Sequence, residues 1–216
     1  MNTGLPASVV LICFAGFATT DSDARIQSVT TMEGPPGKII EAPDQALDSA
    51  VASETHMIGF DERQGVLLTA PLDVDDGQIP KGTRVDSHMI LYNVPDEAFG
   101  TFAQNEWVFS GPVLGVMSDM DGKSEAASNK VLGAPATVYP TDGFYLREME
   151  ESDGYDGVGT DRLRVWMSVW QPGDWIRVIT RAAPIARNPA TPMKPPLLAL
   201  SPKRRNPERT GDDSNP

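Results

Sequence analysis

Cysteine and histidine are scarce in this chain of 216 residues. Its one cysteine is Cys13, and its two histidines, His56 and His88, lie 32 positions apart. A single cysteine excludes an internal disulfide framework, and the wide histidine spacing does not match a conventional zinc motif. The chain also lacks a GlyXSerXGly elbow, so no serine or cysteine nucleophile stands in a recognisable sequence context.

Positive charge is sparse as well. The chain carries 18 Lys and Arg residues against 30 Asp and Glu residues, which gives a formal net charge of −12. Nucleic-acid surfaces need a basic stripe to neutralise phosphates, so no nucleic-acid partner is predicted. The imbalance is concentrated in residues 55–183, which hold 20 acidic and 10 basic side chains, whereas residues 184–216 hold six basic and three acidic ones. The body is acidic and the tail is basic.

No hydrophobic run is long enough for a membrane span. The mainly apolar stretch from Leu5 to Ala18 covers 14 residues, fewer than the ~20 that a transmembrane helix requires. Its length is typical of a secretory signal, and Gly16 and Ala18 supply the small residues for cleavage after Ala18. We predict a signal peptide at residues 1–18, a secreted or cell-envelope location and no transmembrane anchor. Because MNTG carries no Lys or Arg, a buried first strand or helix remains the alternative.

Two further segments have little hydrophobic periodicity. Residues 19–54 are rich in Thr, Ser, Asp, Ala and Pro, so they are predicted to be a linker, with a short helix over residues 43–53. Residues 184–216 contain eight prolines among polar and charged residues. This composition predicts a disordered, Pro-rich basic tail.

Between these segments the hydrophobic pattern has a period of two, which is the period of β-strands. Six segments show it, each bounded by turn residues: 65–72, 83–93, 106–111, 112–118, 163–170 and 174–180. No helical pattern separates them, which argues against parallel crossover units. We therefore predict an all-β fold, a single antiparallel β-sandwich of jelly-roll-like type over residues 55–183. The QPGD sequence at 171–174 predicts a type II turn that makes 163–170 and 174–180 a hairpin.

Several stretches of this body carry a family resemblance: FDERQGVLLTAPLDVDDGQIPKGTRVDSHMILYN, WVFSGPVLGVMSD, LGAPATVYP and PGDWIRVIT, which occur in this order over roughly residues 59–180. Together they resemble a group of exported bacterial β-rich proteins that often carry a PEP-CTERM-type sorting tail. The resemblance implies an extracellular or envelope protein and carries over no functional residue. The sorting tail itself is not recognisable here, because PMKPPLLALSPKRR at 192–205 has only LeuLeuAlaLeu between its prolines and its basic cluster.

Acidic loops are the first candidate sites. Asp119, Asp121 and Glu125 surround Gly122, and hard cations such as Ca²⁺ bind oxygen-rich loops of this kind. The EF-hand spacing is not met, because Gly122 is fourth and Glu125 seventh from Asp119 instead of sixth and twelfth. Calcium is the one cofactor that this composition suggests. The alternative is that these residues only form solvated turns.

A second acidic loop, EESDGYDGVGTD at 150–161, contains Asp153, Asp156 and Asp161. Its glycines favour tight backbone conformations, and its carboxylates are again suited to Ca²⁺. We take Asp153 and Asp156 as candidate metal ligands. A third cluster, at Asp73, Asp75 and Asp76, is interpreted as a turn.

Tryptophans are the second candidate. In LRVWMSVW (163–170), alternation places Trp166 and Trp170 on the face opposite the aliphatic residues. Four strand residues separate them by about 13 Å, a spacing that suits stacking on an extended glycan. The alternative is burial of both rings beneath a loop or a partner. His88 and Asp86 share a strand face and are interpreted as a pair on the sheet surface, without a nucleophile beside them; a strand-packing role is the alternative.

These observations predict an exported, non-catalytic extracellular or envelope module that binds glycan or a cell-envelope protein, with calcium as a candidate ligand. Two alternatives remain open at this point. One is a secreted hydrolase acting on polysaccharide, which would need two carboxylates across a cleft, one with a raised pKa. The other is a structural component of the cell surface or matrix.

Overall fold

The structure of the chain is a computed structural model. It describes residues 25–47, 50–53, 55–95, 102–119, 121–140, 149–169 and 173–183. The predicted signal peptide and the predicted C-terminal tail lie outside these residues. In the described part, strands predominate and a single helix is present, which confirms the all-β prediction.

The elements follow one another along the chain as short strands. In order they are β1 (Ile26–Glu33), β2 (Gly37–Ile40), β3 (Met57–Asp61), β4 (Val66–Leu67), β5 (Leu72–Val74), β6 (Gly77–Ile79), β7 (Arg84–Tyr92), β8 (Ala103–Phe109), β9 (Val113–Met117), α1 (Lys123–Leu132), β10 (Gly154–Asp156), β11 (Arg162–Met167) and β12 (Asp174–Arg181).

Two main sheets form from these strands. The first, sheet A, is antiparallel and has the order β1, β8, β11, β10; the second, sheet B, has the order β2, β3, β7, β12, β9, with β4 paired to β7. The strands β5 and β6 form a separate hairpin. One pair departs from the predicted antiparallel arrangement, because β2 runs parallel to β3. The connection of residues 41–56 is long enough for the crossover that a parallel pair requires.

The largest apolar core lies between the two sheets. Side chains of β8 and β11 alternate between buried and half-buried positions, so each strand turns one face inward. Trp107 of β8 is fully buried in this core with Ile90, Ile176 and Val178 of sheet B. Facing sheets that share one core are a β-sandwich.

Sheet B is buried on its other face too. Trp175, Met89 and Leu91 pack there against Ala46 and Val51, and a neighbouring cluster includes Leu132 of α1 with residues of β7 and β12. Consequently β7 and β12 are buried at nearly every position and do not alternate. Double-sided burial of this kind gives near-continuous apolar runs.

The predicted linker is wrong for part of its length. Strands β1 and β2 lie within residues 19–54, so the folded domain begins by Ile26 and not at residue 55. Strand β1 has no recognisable hydrophobic period, because only Ile26 and Val29 of this edge strand reach the core. In the described part of residues 43–53 there is no helix, and Gln45 instead bridges Val138.

Two other predictions also need correction. The helix α1 occupies 123–132, where only a loop was expected, because its buried face is mostly polar and gives a weak hydrophobic period. The segments 163–170 and 174–180 are not a hairpin: β11 pairs with β8 and β10 in sheet A, whereas β12 pairs with β7 and β9 in sheet B. The chain crosses between the sheets in this interval.

Candidate functional site

Three carboxylates meet at one end of the sandwich. Glu150, Asp153 and Asp174 each offer an oxygen atom, and these atoms lie within 4.8 Å of one another. Asp174 is the first residue of β12 in sheet B, and Asp153 directly precedes β10 in sheet A. We call these three residues the acidic cluster. It joins a loop of sheet A to the start of a central strand of sheet B.

Backbone amides hold the Asp153 carboxylate and the loop of residues 150–153 in place. The amide of Asp153 donates to the carbonyl oxygen of Glu150 at 3.0 Å, and the amide of Glu150 donates to Oδ2 of Asp153 at 3.2 Å. The amide of Ser168, just after β11, donates to Oδ1 of Asp153 at 2.7 Å. The Asp153 carboxylate is therefore held in one place before any ligand is added.

Asp174 is the most unusual member of the cluster. It is only 1% exposed, and its Oδ2 atom has no hydrogen-bond partner among the described residues. Burial, reinforced by the charges of Asp153 and Glu150, raises the pKa of Asp174 to about 10. Burial and the neighbouring Asp153 also raise the pKa of Glu150. A buried carboxyl among like charges needs either a proton or a cation.

The donor set fits a hard divalent cation. All three side chains offer carboxylate oxygens and none offers nitrogen or sulfur, a chemistry that suits Ca²⁺, Mg²⁺ or Mn²⁺ rather than zinc. Ca²⁺ takes six to eight oxygens in flexible geometry, so backbone carbonyls and water would complete the shell. Among the described residues, this is the only group of three acidic or histidine side chains brought together in this way.

Of the predicted metal ligands, the structure places Asp153 in the acidic cluster. Asp156 lies apart, exposed on β10 at the register position opposite Arg164. In the third cluster, Asp75 and Asp76 form the turn between β5 and β6. Asp75 also accepts long-range hydrogen bonds from Ser118 and Tyr155.

Among the described residues, the structure does not group the three carboxylates of the first acidic loop. Asp119 accepts hydrogen bonds from the amides of Lys123 and Ser124, the first two amides of α1, whose N-cap residue is Gly122. Asp121 forms an exposed ion pair with Lys123, and Glu125 is buried beneath the helix at 2% exposure. The formation of α1 separates the three carboxylates that the linear spacing appeared to group.

Sequence reasoning missed Glu150 and Asp174. Glu150 opens the acid-rich stretch that contains Asp153, so its position was a usable signal. Asp174 lies in the QPGD sequence, and aspartate is a common residue in turns. Only the long-range packing of β12 against the loop before β10 brings it to the cluster.

The predicted alternation around Trp166 is confirmed. Leu163, Val165 and Met167 are fully buried, whereas Arg164 and Trp166 are half-buried on the opposite face. Trp170 lies outside the described residues.

The prediction of a surface pair between His88 and Asp86 is wrong. His88 is fully buried, and its Nδ1 atom lies 2.7 Å from Oδ1 of Asp61, while its Nε2 atom lies 3.0 Å from Oγ1 of Thr180. Both faces of sheet B are covered, so no surface position exists for this residue. The resulting chain of hydroxyl, imidazole and carboxylate resembles nucleophile activation, but Thr180 is also fully buried. A substrate therefore cannot reach the hydroxyl, and the three groups serve as a satisfied polar network.

The described part of the chain contains no helix of the length and apolar character needed to cross a bilayer. No family model, curated protein or solved structure matches this chain.

Proposed function

We propose that this chain is an exported, non-catalytic binding module of the extracellular space or cell envelope, and that it holds a divalent cation such as Ca²⁺ in the acidic cluster. Its partner is a glycan or an envelope protein. The single observation that carries the cation is the Asp174 carboxyl, which is 1% exposed and has no hydrogen-bond donor for Oδ2 among the described residues.

A cation explains the cluster better than a shared proton alone. A proton can bridge two carboxyls, whereas three carboxylates converge within 4.8 Å. A divalent ion would offset two of their three negative charges and would connect sheet A to sheet B at this end of the sandwich. Extracellular calcium is abundant enough for sites with dissociation constants of roughly 10⁻⁴ to 10⁻³ M, so a site with three carboxylates suits an exported module.

The polysaccharide hydrolase receives less support. It needs two carboxyls flanking a glycosidic bond, one of them with a raised pKa. Asp174 has the raised pKa, but at 1% exposure it leaves no space for a sugar ring beside its carboxyl. The feature that would identify a general acid is therefore buried, and a binding role is favoured.

Thermal unfolding of the full chain tests the cation. We expect the midpoint to rise on addition of millimolar CaCl₂ and to fall back with excess EDTA, because a ligand that binds only the folded state stabilises it. Asp174→Asn should abolish this response, since the amide keeps the shape of the acid but removes its charge. Asp156→Asn, an exposed acid on the same loop-strand segment, is the matched control and should retain it. Identical wild-type midpoints with CaCl₂ and EDTA would overturn the cation proposal.

A further inference from the structure

The Trp166 indole lies across a glycine on the outer face of sheet A. Gly154 is its register partner on β10. A Cβ atom placed on Gly154 would lie 2.5 Å from Cζ2 and 2.8 Å from Cε2 of Trp166, closer than any side chain permits. Gly154 thus leaves room for the ring to lie against the backbone of β10. Because Trp166 is only half-buried, part of the ring remains open to solvent.

Polar side chains surround this ring. Gln104 is opposite Trp166 on β8, and Arg164, two residues before Trp166 on the same face, is opposite Glu106. All three of these polar neighbours are half-buried. Oε1 of Glu106 also accepts a hydrogen bond from Nη1 of Arg162 at 2.8 Å. By strand register, the ring is therefore bordered by a guanidinium, a carboxylate and an amide.

A second aromatic residue lies at the same end of this face. Phe102 directly precedes β8 and is 37% exposed. By the alternation of β8 it continues the row of Gln104 and Glu106, two positions beyond Gln104. Diagonal neighbours on adjacent strands are about 7 to 8 Å apart, within reach of aromatic side chains.

We call Trp166, Gly154 and the polar residues beside them (Gln104, Glu106 and Arg164) the platform. The acidic cluster adjoins this platform. Asp153 immediately precedes Gly154, and its carboxylate accepts the hydrogen bond from the amide of Ser168, two residues after Trp166. The cluster thus anchors two of the strands that carry the platform. A cation on Asp153 would fix the position of Gly154, and with it the backbone against which the Trp166 ring packs.

We propose that Trp166, seated on Gly154, is a stacking subsite for a pyranose ring of a glycan, with Gln104, Glu106 and Arg164 as hydrogen-bond partners for its hydroxyl groups. This inference rests on the proposed function, whose partner it names. Pyranoses with equatorial hydroxyls, such as glucose and N-acetylglucosamine, present an apolar C–H face to a flat ring and hydroxyls to its border. A protein interface would instead be expected to have a broader apolar centre, whereas the strand neighbours of Trp166 on this face, Gln104, Glu106 and Arg164, are polar.

Tryptophan fluorescence tests the subsite directly. Trp107 and Trp175 are fully buried, so in a Trp170→Phe background the emission that iodide quenches should come from Trp166. We expect cellohexaose or chitohexaose, added in the presence of CaCl₂, to protect this emission. Trp166→Ala should weaken binding measured by calorimetry by roughly tenfold or more, which corresponds to about 1.4 kcal/mol. Trp166→Phe should recover part of the affinity because it retains a flat ring.

Control variants separate stacking from other effects. Leu67→Ala removes an apolar side chain that is 49% exposed on β4 of sheet B, and it should leave saccharide binding unchanged. Gln104→Ala should weaken binding without lowering the unfolding midpoint appreciably. The absence of protection by either hexasaccharide, or equal affinities of wild type and Trp166→Ala, would overturn the subsite. The calcium shift in the unfolding midpoint is measured on the same samples, so failure of the subsite is distinguishable from failure of the cation site.

Discussion

Arg177 and Glu62 form a two-pronged ion pair with both side chains fully buried. Nε of Arg177 donates to Oε2 of Glu62 and Nη2 donates to Oε1, each at 2.7 Å. The guanidinium also donates to the Glu125 carbonyl oxygen, to Ser128 Oγ and to Asn129 Oδ1, all in α1. This network attaches a helix with little apolar surface to the outer face of sheet B.

Removing one partner of this pair should be strongly destabilising. Glu62→Gln would remove the carboxylate that both prongs of the buried guanidinium contact, and breaking a buried pair in this way typically costs about 3 to 5 kcal/mol. We expect the free energy of unfolding in urea to fall by that amount. Arg177→Met should lower the free energy of unfolding similarly, because it leaves the Glu62 carboxylate buried without the guanidinium. The two changes together should cost much less than the sum of the single changes.

The exposed pair of Arg162 and Glu106 provides the comparison. Its Nη1 and Oε1 atoms are 2.8 Å apart, but the Arg162 side chain is 57% exposed. Exposed pairs contribute about 0 to 1 kcal/mol. If Arg162→Ala proved as costly as Glu62→Gln, burial would not be the reason for the importance of the Arg177 pair.

The pKa of Asp174 predicts how the stability of the cation-free protein depends on pH. Folding raises this pKa from 3.8 to about 10, so the folded state holds a proton that the unfolded state releases. The free energy of unfolding in EDTA should therefore fall as pH rises between about 5 and 9. Calcium should become more stabilising over the same range, because the ion replaces the proton on the carboxyl.

Asp174→Asn isolates this effect from other titrating groups. The amide mimics the protonated acid, so in EDTA the variant should be more stable than wild type at pH 9 and close to it near pH 5. Urea unfolding at each pH measures the difference. Parallel pH profiles of the two proteins would show that Asp174 titrates normally.

The sequence predicted those parts of the fold that a repeating pattern specifies. Leu163, Val165 and Met167 alternate with polar neighbours, and their burial followed from that period. Strand β1 was missed because an edge strand with few core contacts carries too few apolar residues to show a period. Helix α1 was missed for a related reason, since its buried side includes Glu125 and Ser128 as well as Leu132.

The candidate site was only partly predictable, because its members come together through tertiary packing. Asp153 stood out as part of an acid-rich loop, whereas Asp174 lies 21 positions further along the chain in another sheet. Strand pairing decided the outcome: β12 joined β7 and β9 instead of forming a hairpin with β11. No short-range pattern specifies that choice.

Asp119 should contribute to stability through the helix and not through a metal. Its carboxylate accepts the amide of Lys123 at 2.8 Å and that of Ser124 at 3.0 Å, the first two amides of α1. Asp119→Ala should therefore lower the free energy of unfolding by about 0.5 to 2 kcal/mol, the range found when a side chain that accepts the free amides of a helix N-terminus is removed. Thermal unfolding with CaCl₂ and with EDTA should show the same loss in both. A loss confined to the calcium sample would place a ligand at Asp119 instead.

The close packing of Gly59 against Trp107 should make the core sensitive to a larger residue at position 59. A Cβ atom on Gly59 would lie 2.4 Å from Cζ3 of Trp107, whose side chain is fully buried. Gly59→Ala should cost about 1 to 3 kcal/mol, because a fully buried indole can move away only by displacing its core neighbours. Gly154→Ala creates a similar clash with Trp166, but that half-buried ring can tilt toward solvent, so a smaller loss is expected. Adding Trp107→Phe to Gly59→Ala should recover part of the stability relative to the sum of the two single losses, which urea unfolding of all three variants would measure. Strict additivity would show that the clash is relieved by backbone movement and not by the ring.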